Sequence, residues 1–114
     1  MDLMDEILKR LESLHPKIID LKLDRVKRLL RKLGNPERSL PPIIHVAGTN
    51  GKGSTIAMIK AGLQSSGLKT HVYTSPHLVH FNERIEIAGK RISEDALKKV
   101  LTECEKINNS EPIT

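Results

Sequence analysis

The sequence contains almost no aromatic residues: among 114 residues there are one phenylalanine, one tyrosine and no tryptophan. A hydrophobic core must therefore be aliphatic. The single cysteine, Cys104, excludes disulfide bonds within the chain and fits a reducing cytoplasm. No apolar run approaches the roughly 20 residues of a membrane helix, and no signal peptide is recognisable. We therefore expect a cytoplasmic protein without a membrane partner.

The charge balance is basic, with 19 lysines and arginines against 14 acidic residues and a net charge of +5. A basic surface can bind nucleic acid, but side chains able to stack on bases are nearly absent. A solvated helix face, or attraction of small anionic substrates, explains the bias better, so we expect no nucleic-acid partner. Much of the positive charge lies in one short segment, at Lys22, Arg25, Lys27, Arg28, Arg31 and Lys32.

Two helices are predicted in residues 1–42, each from apolar residues at helical spacing. The first helix has these residues at Leu3, Ile7, Leu11 and Leu14. The second has them at Leu23, Val26, Leu30 and Leu33. We expect the first helix to end near Pro16 and the second at Gly34. Residues 1–42 are therefore predicted to form an N-terminal helical segment.

A glycine-rich loop follows the apolar run Ile43–Ala47, which we predict to be a strand. The loop and the start of the next helix comprise Gly48, Thr49, Asn50, Gly51, Lys52, Gly53, Ser54 and Thr55. A strand, a glycine loop, a lysine and a helix start together hold nucleotide phosphates in many proteins. Glycine lets backbone N–H groups approach the closely spaced oxygens, and the first helical N–H groups have no intrahelical partner.

The other side chains of this loop suggest ATP with its metal ion as the ligand. Lys52 would reach the terminal phosphates, and Ser54 or Thr55 would hold the accompanying Mg²⁺. The loop departs from the general pattern G-x-x-x-x-G-K-[ST], because Val46 replaces the first glycine and Gly53 separates the lysine from the hydroxyls. A glycine-rich turn with a surface lysine is the alternative.

The sequence after the loop predicts an α/β fold. We expect the helix to end near Gly67 and Lys69–Tyr73 to form a second strand, which gives a βαβ unit with parallel strands and a right-handed crossover. The loop from Thr74 then lies at the carboxyl end of this strand, where open α/β sheets bind ligands.

A hairpin and a helix are predicted to follow. Arg84–Ala88 is expected to pair with Arg91 and Ile92 across Gly89 and Lys90. The helix, capped by Ser93, has its predicted inner face at Leu97, Val100, Leu101 and Cys104.

Residues 43–114 are few for a domain of this kind. Two parallel strands do not bury both faces of a sheet, and no second acidic motif follows to complete a nucleotide-hydrolysing site. We therefore expect residues 43–114 to be the start of a parallel-sheet P-loop ATP-binding domain. The rest of that domain and a C-terminal domain would be absent from this chain.

Three motifs in order resemble the folylpolyglutamate synthase / dihydrofolate synthase family of the Mur ligase superfamily. They are His45–Ser54, Tyr73–Leu78 and Phe81–Ile85, and the upstream segments Leu14–Leu21 and Asp24–Val26 are similar to that family as well. The hydroxyl after Gly53, displaced from the general pattern, is normal for these proteins. The resemblance runs from about Leu11 to the last helix, but it covers only the beginning of the family's domain plan.

The resemblance implies an ATP-dependent amide ligase. ATP would phosphorylate a carboxylate of folate or dihydropteroate, and the amino group of L-glutamate would attack the acyl phosphate and release phosphate. A carboxylate is a poor electrophile, and phosphorylation gives it a leaving group. Catalysis then depends on positioning and on neutralising charge at the transferred phosphoryl group.

The resemblance also implies roles for individual residues. Gly51, Lys52, Gly53 and Ser54 would bind the ATP phosphates, and Thr49 and Asn50 would shape the loop. Ser75 would ligate Mg²⁺, with Ser54 as a possible second ligand; alternatively, the Ser75 hydroxyl bonds to its own turn. Ile18, Ile19, Asp20 and Leu21 would contact the pteroate substrate; alternatively, they connect two helices, with Asp20 as a cap.

Other polar residues receive structural or open interpretations. We expect His45 to be a packed core group, since it lies within an apolar strand. His77 and His80 either touch phosphate or substrate or are surface residues. Glu83 and Arg84 are expected to pair or to anchor the hairpin rather than to act in catalysis.

Two other functions remain open from the sequence. One is a different P-loop enzyme, such as a small kinase, and the other is a non-catalytic nucleotide-binding remnant of a ligase. The acidic metal ligand, the adenine pocket and the glutamate-binding domain of the resembled family lie beyond Thr114. We therefore expect the isolated chain to have no ligase activity.

Overall fold

The computed structural model describes residues 3–14 and 23–113. These residues form four α-helices, a small three-stranded sheet and two short 3-10 turns, at Pro36–Ser39 and Phe81–Arg84. The helices are α1 (Leu3–Ser13), α2 (Asp24–Lys32), α3 (Lys52–Ser65) and α4 (Glu94–Asn108). The strands are β1 (Val72–Tyr73), β2 (Ile85–Ile87) and β3 (Lys90–Arg91). The chain divides into two compact units: unit 1 contains α1, α2 and α4, and unit 2 spans residues 43–93.

The core of unit 1 forms where α1 packs against α4. Ile7 of α1 is 1% exposed and Leu97 of α4 is 2% exposed, and Met4 is buried beside them. The predicted helix is confirmed, but its predicted apolar stripe is only partly buried: Ile7 faces this contact, whereas Leu3 is 54% exposed. Val100 of α4 was expected on the inner face but is exposed, since it lies at the edge of the stripe that Leu97, Leu101, Cys104 and Asn108 form along the helix.

The end of α2 shows the predicted stop at Gly34. This residue has a φ of +86°, and its N–H donates to the carbonyl of Arg31 at 3.1 Å. The next N–H, of Asn35, donates to the carbonyl of Leu30 at 2.8 Å. This pair of bonds is a Schellman motif, which caps carbonyls that the helix leaves unpaired.

Polar contacts attach the C-terminal residues to the helices of unit 1. Asn108 is buried and donates to the carbonyl of Glu111 at 2.8 Å. Arg28 of α2 pairs with the Glu111 carboxylate at 2.7 Å, and Arg10 of α1 pairs with Glu105 at 2.8 Å. Exposed pairs of this kind stabilise a fold only slightly, so they fix the position of the tail more than they add to stability.

Unit 2 begins with residues that do not form the predicted strand in this structure. In the described part of the chain, Ile43–Ala47 forms no strand, and Ile43 and Ile44 are 73% and 61% exposed. His45 is likewise exposed, so its predicted place in the core is wrong as well. The physical reason is that a strand needs a neighbour to satisfy its backbone groups, and no strand described here pairs with this segment.

The sheet of unit 2 is antiparallel, in the order β1-β2-β3. Val72 is opposite Glu86 and Tyr73 is opposite Ile85, while Glu86 is also opposite Arg91. The predicted parallel βαβ pairing is therefore absent from the described residues: β1 is an edge strand whose one neighbour is β2, and Ile43–Ala47 forms no strand beside it. The predicted hairpin itself is confirmed.

The turn of the hairpin lies at Ala88 and Gly89, one residue earlier than the sequence suggested. Both residues have positive φ, +52° and +82°, as a two-residue type I′ turn requires. The N–H of Gly89 also donates to the carbonyl of Thr70 at 3.2 Å. Hydrogen bonding between the segment of β1 and the hairpin thus continues past the N-terminal end of β1.

Helix α3 ends at the predicted glycine. Gly67 has a φ of +84° and its N–H donates to the carbonyl of Gln64 at 2.9 Å, while Leu68 donates to Leu63 at 3.1 Å. This is a second Schellman motif. Ile56, Ile59 and Leu63 are half-buried at helical spacing, so they form the inner face of α3.

The grouping of α4 differs from the division expected from the sequence. Residues 94–113 pack with the N-terminal helices, whereas the sequence assigned 43–114 to an ATP-binding domain. Packing within this chain and membership of a larger nucleotide-binding domain are different properties. The assignment of 43–114 to such a domain stays a prediction.

Replacing Gly89 by alanine is expected to destabilise the chain by about 1 kcal/mol. A Cβ there would lie 2.9 Å from Nε2 of Gln64, which can move aside, so the strain of the positive φ is the larger effect. Gly62→Ala is the matched control: no heavy atom lies within 4 Å of its Cβ position in the interior of α3, and alanine should stabilise it by about 0.5–1 kcal/mol. Urea unfolding measures the change in the free energy of unfolding for each variant. A change of the same sign in both variants would contradict the expectation.

Candidate phosphate-binding site

The N-terminus of α3 presents backbone donors without partners from the helix itself. Helix α3 begins at Lys52, after Gly51 in the left-handed conformation at a φ of +74°. The N–H of Thr55 is bonded to the carbonyl of Gly51 at 3.0 Å. The N–H groups of Lys52, Gly53 and Ser54 precede this bond and so have no carbonyl one turn earlier to bond to.

The start of α3 carries no negative group of its own sequence. The N-cap, Gly51, makes no side-chain hydrogen bond, and the first turn contains no acidic residue. The partial positive charge of the helix N-terminus is therefore uncompensated by the helix's own sequence. Lys52 adds a full positive charge at the same point and is exposed.

The glycines of the loop fit the close approach of an anion. Gly51 needs glycine for its positive φ, and Gly48 also has a positive φ, at +150°. Gly53 needs glycine for neither conformation nor space, since nothing lies within 4 Å of its Cβ position. A glycine in the first turn destabilises a helix by up to about 1 kcal/mol relative to alanine, so an approaching ligand is a physical reason for its presence.

Two contacts define how α3 runs relative to β1 within unit 2. Near its C-terminus, Gln64 donates to the hydroxyl of Thr70 at 3.3 Å. One turn earlier, Lys60 pairs at 2.8 Å with Glu86, the residue opposite Val72. Moving back along the helix therefore corresponds to moving forward along the strand, so α3 and β1 are antiparallel.

This orientation brings the glycine loop and Ser75 to the same end of unit 2. From Lys60 back to Lys52 the helix rises about 12 Å. From Val72 forward to Ser75 the chain advances at most about 10 Å. Among the described residues, Ser75 makes no direct hydrogen bond with the glycine loop. Both nevertheless lie on the same side of the contact between Lys60 and Glu86.

The side chain of Ser75 is free to bind a ligand. It is exposed, and its hydroxyl makes no hydrogen bond within the described residues, so the alternative of a bond to its own turn is not found. A hydroxyl oxygen is the kind of ligand that Mg²⁺ takes. The part of the chain that the structure describes has no cluster of three or more histidines, cysteines and acids able to hold a metal. Ser75 would therefore supply one oxygen ligand to a metal ion and not a complete metal site.

Glu83 holds the loop that follows Ser75. Its carboxylate accepts hydrogen bonds from three consecutive backbone N–H groups, of Leu78 at 3.0 Å, Val79 at 3.1 Å and His80 at 2.6 Å. The bonds from His80 and Leu78 in particular lower the pKa of Glu83 to about 2. The carboxylate is therefore ionised at neutral and mildly acidic pH.

Arg84 and His77 form a second attachment of the same loop. Nε of Arg84 donates to Nδ1 of His77 at 2.8 Å, so the neutral imidazole carries its proton on Nε2. The Arg84 guanidinium lies 4.7 Å from the ring centroid of Phe81, and this ring is 5.5 Å from that of His77. Glu83 and Arg84 were expected to pair or to anchor the hairpin; no ion pair between them is found in the described residues, and each contacts the loop at residues 77–80. His80 is an exposed residue.

The sequence analysis missed the loop-holding role of Glu83. A signal for it exists, because a glutamate three residues after the start of a helical turn is the spacing of a capping box. The predicted substrate segment, Ile18, Ile19, Asp20 and Leu21, lies outside the described residues. No described helix is long and apolar enough to cross a membrane.

Comparisons with known proteins identify relatives of the chain. It is 44% identical over 89 residues to dihydrofolate synthase/folylpolyglutamate synthase of Escherichia coli, which covers 78% of this chain and 21% of that protein. It is 48% identical over 73 residues to the protein of the same name from Bacillus subtilis, covering 64% of this chain and 17% of that protein. No protein-family model matches the chain.

A solved structure supports the same relationship. The bifunctional folylpolyglutamate synthase/dihydrofolate synthase from Yersinia pestis, in complex with AMPPNP and a manganese ion, aligns with a TM-score of 0.86 and 36% identity. The alignment covers 100% of this chain and 28% of that one. The aligned part of the chain therefore spans only 17–28% of the length of these relatives.

The relatives define a class of ATP-dependent ligases, which is a class of enzymes. Over the residues compared, the chain is similar to folylpolyglutamate synthases / dihydrofolate synthases. The resemblance seen in the sequence is thereby confirmed.

Proposed function

We propose that this chain supplies the phosphate-binding part of an ATP-dependent ligase that joins L-glutamate to folate or dihydropteroate. The observation that carries the proposal is the N-terminus of α3, where unpaired N–H groups, positive-φ glycines and Lys52 converge. Helix termini of this kind bind phosphate groups. The manganese and AMPPNP in the related structure support ATP with Mg²⁺ as the ligands.

Each part of the site has a separate task in this proposal. The N–H groups of residues 52–54 bind phosphate oxygens, with Thr49, Asn50 and Thr55 beside them, and Lys52 neutralises charge on the terminal phosphates. Ser75, and Ser54 as a second oxygen, ligate Mg²⁺. Bound ATP supplies the phosphoryl group that makes a substrate carboxylate reactive.

The proposal extends to two further segments of the chain, residues 43–47 and residues 18–21. Residues 43–47 become a strand of a parallel P-loop sheet when further strands are available, which their exposed Ile43 and Ile44 side chains support. Residues 18–21 contact the pteroate substrate, and the protein acts in the cytoplasm. The chain binds no nucleic acid.

The isolated chain is proposed to bind nucleotide without ligating. It spans 21% of its Escherichia coli relative, and an acid–amine ligation needs sites for both substrates besides the phosphate site. Release of ADP in the presence of folate and glutamate tests this point; robust turnover by the 114-residue chain would disprove it. For the parent protein, the two alternatives, a small kinase and a non-catalytic nucleotide-binding remnant of a ligase, are not favoured, because the relatives are named as folylpolyglutamate and dihydrofolate synthases.

A series of nucleotides with different phosphate tails tests the phosphate site itself. We expect AMPPNP and ADP, each with Mg²⁺, to raise the melting temperature by about 10 °C at 100 times their Kd, since binding then adds about 2.7 kcal/mol. AMP at the same concentration should have little effect, because it lacks the phosphates that Lys52 reaches. If none of the three raises the melting temperature, or if AMP equals ADP, the proposed site is wrong.

A further inference from the structure

We propose that Glu83 is a positioning residue for the metal-binding loop, and that its carboxylate holds the Ser75 hydroxyl in place for a nucleotide-bound metal ion. The inference rests on the function proposed above. It concerns a residue that contacts neither nucleotide nor metal and acts through the backbone of residues 78–80.

The loop around Ser75 is attached on both sides by residues of a single short turn. On one side, the N–H of Thr74 donates to the carbonyl of Arg84 at 2.9 Å. On the other side, His77 accepts from Arg84 and the next three N–H groups donate to Glu83. Only Ser75 and Pro76 lie between the two attachments, so little backbone freedom remains to them.

The geometry of Glu83 is specific to an ionised carboxylate. Two oxygens share three N–H donors, two of them on Oε2, and charge-assisted bonds of this kind are stronger than neutral ones. A glutamine offers a single acceptor oxygen, and its amide hydrogens would face N–H groups instead of accepting from them. Replacing Glu83 by glutamine should therefore release residues 78–80 while changing the side-chain volume little.

The negative charge of Glu83 is also compatible with a phosphate site at the same end of unit 2. Its three N–H partners and the nearby Arg91 compensate it locally. The carboxylate therefore fixes the loop without presenting an unpaired negative charge to a nucleotide. A free carboxylate at the same place would repel one.

The experiment compares the metal dependence of nucleotide binding in Glu83→Gln and Glu86→Gln. Both variants remove one carboxylate from unit 2 and break contacts there, since Glu86 pairs with Lys60, but only Glu83 contacts the loop after Ser75. The Kd of AMPPNP is measured for the 114-residue chain by calorimetry, with Mn²⁺ and with a chelator, well below the melting temperature. The readout is the Kd with the chelator divided by the Kd with Mn²⁺, which is large when the metal strengthens binding.

A structural role alone would not change this ratio, because a general loss of stability affects both measurements equally. We expect the ratio of Glu83→Gln to fall about tenfold, as the loss of a charge-assisted contact predicts, while Glu86→Gln keeps the wild-type ratio. An unchanged ratio in Glu83→Gln, an equal fall in Glu86→Gln, or a wild-type affinity that does not depend on metal would each overturn the inference. If Glu83→Gln does not fold, Glu83→Asp decides: an intermediate ratio supports the inference and the wild-type ratio overturns it.

The outcome also separates this inference from the proposed function. A wild-type chain that fails to bind AMPPNP with or without metal overturns the proposed function, and the inference with it. A wild-type chain that binds AMPPNP in a metal-dependent way, together with an unchanged Glu83→Gln, overturns the inference alone.

Discussion

Replacement of Ile7 by alanine is expected to destabilise unit 1 by about 2–4 kcal/mol. Ile7 is 1% exposed and packs where α1 meets α4, beside Leu97 and Met4. Removing three carbons there loses the transfer free energy of the buried groups and leaves a cavity that the two helices fill only in part. A chain of this size has a free energy of unfolding on the order of 10 kcal/mol, so the expected loss is a large fraction of it.

The smallness of the core makes the effect large. Among the described residues the buried apolar side chains are Met4, Ile7 and Leu97. With aromatic side chains nearly absent, no large ring shares the burial. Each aliphatic side chain in the contact between α1 and α4 therefore carries a substantial part of the hydrophobic stabilisation.

Leu3→Ala is the matched control for Ile7→Ala. Leu3 lies on the same helix and has a similar size, but it is 54% exposed, so we expect a loss below about 1 kcal/mol. Urea unfolding followed by circular dichroism measures both variants, and amide exchange in α1 and α4 assigns the loss to unit 1 if the two units unfold separately. Similar losses in the two variants would show that the core does not lie at Ile7.

The features that the sequence predicted well are those determined locally. Gly34 and Gly67 end their helices because a left-handed residue and two backbone bonds form a Schellman motif, and only the adjacent residues take part. The hairpin of β2 and β3 is equally local, since Ala88 and Gly89 alone form its turn. The start of α3 after Gly51 was also predicted, because it too is determined by adjacent residues.

Strand pairing was predicted poorly because it depends on distant partners. The apolar run Ile43–Ala47 indicates a buried strand only if another strand lies beside it, and the sequence does not say which strand that is. The burial expected for His45 depended on the same assumption. Likewise, nothing in Val72–Tyr73 alone shows that it pairs with Ile85 and Glu86 rather than with a parallel neighbour.

The candidate site divides in the same way. The glycine loop, Lys52 and Ser75 are recognisable because their chemistry is carried by residue type and order. The hold of Glu83 on residues 78–80 requires a loop to fold back on a following turn, which composition does not reveal. The antiparallel course of α3 and β1, which brings Ser75 toward Lys52, follows only from contacts between side chains distant in sequence.

The Lys52→Ala variant is expected to bind AMPPNP and ADP about 10- to 100-fold more weakly than the wild-type chain. One charge-assisted bond to a phosphate is worth roughly 1.5–3 kcal/mol, and each 1.4 kcal/mol corresponds to about tenfold in Kd. Binding should not vanish, because the N–H groups of Gly53 and Ser54 remain at the helix end. The loss separates the lysine's contribution from that of the backbone.

Lys69→Ala is the matched control for this variant. Lys69 is an exposed lysine of the same unit, so its removal changes the net charge equally without touching the N-terminus of α3. Calorimetric titration with ADP and AMP compares both variants with the wild-type chain. We expect Lys52→Ala to weaken ADP binding far more than AMP binding, because in the proposed site the ammonium group of Lys52 reaches the terminal phosphates. Equal losses in the two lysine variants would show that general electrostatic attraction, and not a phosphate site at residue 52, holds the nucleotide.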